Sequence, residues 1–113
     1  MKNFTEKSYQ NVIDFIDASV DSGELMDWLV NLERLPDNLR ANHLAQMKTK
    51  MLSNKEPDKI IDVMDSINDR DILSAINLVV KDIHDSGMRT KKYLQFNNNE
   101  NFNILVSLLA ASI

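Results

Sequence analysis

Only two side chains in this chain, His43 and His84, are candidates for a base at neutral pH. Cysteine is absent, which removes thiolate metal sites, disulfides and a sulfur nucleophile together. Neither histidine has a Ser or Asp at a spacing that signals a nucleophile pair. His84 falls in the last turn of a predicted helix, where a cation complements the dipole. His43 lies beside the Leu44 and Met47 face of another. Both read as structural or surface residues.

The segment Asp65-Ser66-Ile67-Asn68-Asp69-Arg70-Asp71 has the outline of a calcium loop. Such a loop needs an oxygen ligand at its third position, Gly at its sixth and Glu at its twelfth. Those positions hold Ile67, Arg70 and Ile76, so the segment reads as a helix-to-helix turn with acids at a helix start. The chemistry-bearing residues thus yield no catalytic set, no metal set and no cofactor cradle, and the expectation is that the chain is not an enzyme.

Charge gives more. The net charge is −4, but residues 1–33 carry −5, 34–55 carry +4, 56–85 carry −5 and 86–113 carry +2. Asp14, Asp17 and Asp21, with Glu6 and Gln10, fall on one polar stripe of a first helix, read as a solubilising face or a docking surface. Arg40 and Lys48 lie on a basic helix within 34–55. Arg89, Lys91, Lys92 and Tyr93, with Phe96, interleave cations and aromatics in an 86–96 loop, as single-strand binders do. These define a basic contact patch. The predicted fifth helix presents Asp69, Asp71, Asp82 and Asp85 against Arg70 and Lys81, which disfavours reading of DNA bases.

The elements that would position these residues are helical. Two Gly and two Pro among 113 residues leave too few turn residues for a sheet-rich fold. Thr5 starts a helix reaching about Asp21, with Tyr9, Val12, Ile13, Ile16 and Val20 on one face. A second, about Glu24 to Leu35, buries Leu25, Trp28, Leu29 and Leu32 and stops at Pro36. Asp37 is predicted to cap a third helix reaching Ser53, with Leu44, Met47 and Met51 on a face. Pro57 opens a fourth, with Ile60, Ile61, Val63, Met64 and Ile67. Asn68 is predicted to cap a fifth, striped by Ile72, Leu73, Ile76, Val79, Val80 and Ile83 until Gly87. Residues 88–101 read as a short helix or an ordered loop, and a last helix from about Asn101 is apolar nearly all round.

An echo at 34 residues pairs Asp37, Leu39, Ala41 and Leu44 with Asp71, Leu73, Ala75 and Leu78. That is the period of a helical-hairpin repeat, although the full repeat pattern is missing. The expected fold is all-α: five or six short amphipathic helices in stacked antiparallel hairpins, an orthogonal or solenoid-like bundle forming a single domain over 1–113. The first residues lack the pattern of a secretory signal, and the most apolar stretch, 104–113, is too short for a membrane span. A cytoplasmic location is expected.

By elimination the sequence predicts a small acidic protein-interaction module: an adaptor, inhibitor, chaperone or immunity-like factor that binds another protein. Asp14, Asp17, Asp21, Ile104 and Leu108 are its candidate contact residues. The last two are predicted to point away from the bundle and to meet a second copy of the chain. The alternatives are an acidic decoy for a nucleic-acid-binding protein, and a nucleic-acid binder using the 34–55 helix and the 86–96 loop. Nucleic acid is the less expected partner, because a net negative charge opposes phosphate binding.

Overall fold

Hydrophobic stripes at helical spacing need other helices to cover them, and the chain supplies them from end to end. The computed structural model describes residues 6–55, 58–94 and 100–111. Among these lie seven helices: α1 (Glu6–Val20), α2 (Gly23–Arg34), α3 (Asp37–Ser53), α4 (Asp58–Ser66), α5 (Arg70–Ser86), α6 (Thr90–Tyr93) and α7 (Glu100–Ala111). The all-α class is as expected. The extra helix is α6, a single turn inside the segment that read as helix or loop. Thr5, Pro57, Phe96 and Ile113, and the side chains of Tyr9 and Ile60, lie outside the described residues.

α5 is the spine. Ile72, Leu73, Ile76, Val79, Val80 and Ile83 are all buried, as their spacing requires. Each such side chain contributes about 1.5–3 kcal/mol on burial. α1, α2 and α7 all pack on α5, and α1 also meets α2, α4 and α6. Val12 and Ile16 from α1, Leu29 and Leu32 from α2, Val63, Met64 and Ile67 from α4, and Leu105 and Leu109 from α7 complete one core. Gly87 closes α5 with φ +70°, a left-handed conformation that suits Gly at a helix end.

Two caps differ from expectation by one residue. Asp69, not Asn68, caps α5: its carboxylate accepts from the backbone N–H groups of Asp71 (2.9 Å) and Ile72 (3.2 Å). At α3 the cap position is Pro36, which makes no side-chain cap bond, and Asp37 is already inside the helix. Arg40 lies beside both helix starts. Arg40 is drawn inward, and its guanidinium takes the Asn68 carbonyl and the Asp37 carboxylate as partners.

The closest backbone approaches do not follow the echo. The pairs it would repeat are α2 with α3 and α4 with α5, and each pair makes only slight backbone contact, whereas α1–α2 and α3–α4 pack closely. α3 leans on α4 and stands off α1 and α2. Its sequence explains this: only Arg40 and Leu44 are buried, while Leu39 and Leu52 face solvent, so it has no continuous stripe to bury. No described helix is long and apolar enough to cross a membrane.

Candidate functional site

The stand-off of α3 opens a cleft of about 670 Å³. On α1, Asn11, Asp14, Phe15 and Ala18 recur at intervals of three and four and line one wall beside the core stripe of Val12 and Ile16. α2 adds Glu24, Leu25 and Trp28. It is oriented there by Ser22, whose hydroxyl oxygen caps it by accepting from the Leu25 backbone N–H at 3.2 Å. Met47 and Met51, one turn apart on α3, form the facing wall, and Val63 and Met64 of α4 form the floor.

One side-chain bond spans α2 and α3. The Trp28 indole N–H donates to His43 Nε2 at 3.3 Å, with ring centroids 6.2 Å apart and tilted by 49°. His43 lies one turn before Met47, so His43, Met47 and Met51 make a stripe along α3. The imidazole therefore accepts at Nε2, which places its own proton at Nδ1 when neutral. At the far edge, Lys48 Nζ pairs with Asp65 of α4 at 2.9 Å. At the near end Arg40, only 2% exposed, donates to the Asn68 carbonyl (3.3 and 3.2 Å), the Leu35 carbonyl (3.3 Å) and the Asp37 carboxylate (2.7 Å). It ties the end of α2, the start of α3 and the α4–α5 turn together.

Family models, curated proteins and solved structures offer no match to this chain. The site must therefore be read from its own chemistry.

The sequence-derived candidates separate. Asp14 belongs to the apolar cleft, but Asp17 and Asp21 line a different, polar hollow of about 740 Å³ with Arg89 and Lys91. Asp17 and Asp21 thus share a hollow with cations from the 86–96 segment. The basic patch is not one surface. Arg40 is interior, Tyr93 is 5% exposed with its hydroxyl donating to the Asp82 carboxylate, and Lys48 is paired; only Arg89, Lys91 and Lys92 stand exposed in the order expected. Arg40 and Tyr93, expected in an exposed basic patch, are buried instead. A guanidinium that is 2% exposed and has four of its five N–H donors engaged is not presented to a phosphate, and a buried ring cannot stack on a base.

On α7, Ile104 is 49% exposed as expected, but Leu108 is half-buried against the core. The patch intended for a second copy is correspondingly narrow. The Asp65–Asp71 turn is occupied with structural work: Asp65 pairs with Lys48, the Asn68 carbonyl accepts from Arg40 and Asp69 caps α5. Among the described residues no group of three or more potential ligands is placed to hold a metal ion. His84 is exposed, with Nδ1 3.6 Å from Asp85.

Sequence reasoning missed the cleft itself. Trp28 was expected in the core, and Met47 and Met51 on a buried face; all three are half-buried and line the cleft. A signal was present. α3 carries Met at one-turn spacing but lacks the flanking Leu or Ile that would seal it onto a neighbour.

Proposed function

We propose that the chain is a small helical protein-interaction module, working as an adaptor, inhibitor, chaperone or immunity-like factor, and that the α1–α4 cleft is where its partner docks. The observation that carries this reading is the lining. Trp28 and Phe15 offer broad, rigid apolar surface, while Met47, Met51 and Met64 offer flexible, polarisable surface that re-forms around what enters. A cleft between helices, with no strand edge among the described residues to extend, suits the apolar face of an amphipathic helix.

The other readings draw less support. A decoy wants its carboxylates on one broad face free of cations, and the α1 stripe of Asp14, Asp17 and Asp21 is narrow and shares a hollow with Arg89 and Lys91. A nucleic-acid binder wants Arg40 and Tyr93 at the surface.

Trp28 is the only tryptophan, so its fluorescence reports on the cleft without labelling. Tryptophan-free amphipathic peptides about five turns long should shift its emission saturably. The shift should be lost in Met47→Glu/Met51→Glu, whose circular dichroism and unfolding midpoint confirm that it folds. Unchanged binding by that folded variant would show that the cleft is not the docking site.

A further inference from the structure

We propose that the docked segment is cationic: an amphipathic helix whose apolar stripe is bordered by Lys or Arg. This rests on the cleft being a helix-docking site and adds the charge of the partner. Among the described residues, the ionisable groups lining the cleft are Asp14 and Glu24, both exposed and both carboxylates, with no Lys or Arg beside them. Lys48, the α3 cation next in sequence to Met47, does not line the cleft and is held by Asp65 at 2.9 Å. Asp14 is oriented as well as exposed, because the Gln10 amide donates to its Oδ1 at 2.9 Å and leaves Oδ2 for a partner. Both carboxylates lie on the α1–α2 side, within a stretch whose charge sums to −5, whereas the α3 wall contributes only Met47 and Met51.

Carboxylates at the border of an apolar cleft act through a medium less polarisable than bulk water, so they select a partner's charge more strongly than isolated surface acids do. A cation arriving there gains a charge-assisted hydrogen bond as its neighbours enter the cleft. An anionic segment would set like charges together. A second copy of the chain is a poor occupant, because its basic helix is α3, which is already held in its own fold through the buried Arg40 and Leu44.

Three tryptophan-free peptides decide it. They share one apolar stripe and carry Lys, Gln or Glu on its borders, and each is titrated against Trp28 emission at low and high salt. The Lys peptide is expected to bind on the order of tenfold tighter than the Gln peptide at low salt. That preference should shrink at high salt and reverse toward the Glu peptide in Asp14→Lys/Glu24→Lys. Asp14→Asn/Glu24→Gln should level the three, and it provides the comparison if the double lysine variant does not fold. Equal affinity of all three peptides for the wild type overturns the charge proposal and leaves helix docking standing. Saturable binding of a medium-chain alcohol with no response to any peptide overturns both.

Discussion

Replacing Arg40 by alanine tests the interior of this molecule most directly. The side chain is 3% exposed, and its guanidinium donates to the carbonyls of Leu35 and Asn68 and to the Asp37 carboxylate. Alanine removes every donor at once. An orphaned buried polar group costs about 1–3 kcal/mol, and two carbonyls are left. Neither is deeply enclosed, since Leu35 is half-buried and Asn68 lies on an exposed turn, so entering water recovers part of the loss. The guanidinium's own desolvation, relieved in the variant, offsets more. The expected net loss is about 2–3 kcal/mol, a large share of the 5–15 kcal/mol typical of a domain.

Asp37→Ala is the contrasting arm. Its carboxylate is 80% exposed, so the 2.7 Å pair with Arg40 is well solvated on one side and worth less than about 1 kcal/mol. Arg40→Lys should fall between the two, because one ammonium cannot reach partners arranged for a planar fork. Urea unfolding followed by circular dichroism and Trp28 emission gives all three values. The reasoning fails if Arg40→Ala costs under about 1 kcal/mol. It also fails if Asp37→Ala costs as much as Arg40→Ala, since that would restore Asp37 as an N-cap whose loss is felt by the helix.

Thr90 should behave oppositely. Its hydroxyl is buried with no hydrogen-bond partner, so Thr90→Val should raise stability by on the order of 1 kcal/mol in the same assay, and a loss would reveal a partner for the hydroxyl. On α7, Leu108→Glu should lower the unfolding midpoint, because Leu108 packs on the core, while Ile104→Glu should leave it nearly unchanged. Light scattering on the wild type and Ile104→Glu tests self-association: a dimer dissociated by Ile104→Glu supports pairing through α7, and a monomeric wild type rejects it.

The legible parts of this fold are those whose stripes face a single environment. In α5, six aliphatic residues at helical spacing sit between a capping acid and a glycine, and nothing competes with that pattern. The cap lies one residue beyond Asn68: Asn68 and Asp69 are both competent caps, and the Asn68 carbonyl is taken by Arg40, 28 positions earlier in sequence. No local rule contains that contact. The same holds for the basic patch. Arg40, Lys48 and Tyr93 look like surface residues by type, but Asn68, Asp65 and Asp82 are brought to them only by the tertiary fold.

The cleft was hidden for a related reason. A pattern of apolar residues states that a face avoids water; it does not state whether a helix of the same chain covers it. In α3 the two requirements conflict. Arg40 ties its first half to the α4–α5 turn and Leu44 is buried in the core, while Met47 and Met51 line the cleft with little of α1 or α2 against α3. A helix with a full stripe would have collapsed onto α2 and filled the space. α3 instead is held by side-chain ties at Arg40, His43 and Lys48, the last two of which are half-buried or exposed. Attachment through a few polar ties, with methionine on the inner wall, lets the wall shift by side-chain rearrangement rather than by unfolding. The weak amphipathicity of α3 and the presence of the cleft therefore have a common origin: a helix that sealed itself more completely would be more stable and would leave no cleft.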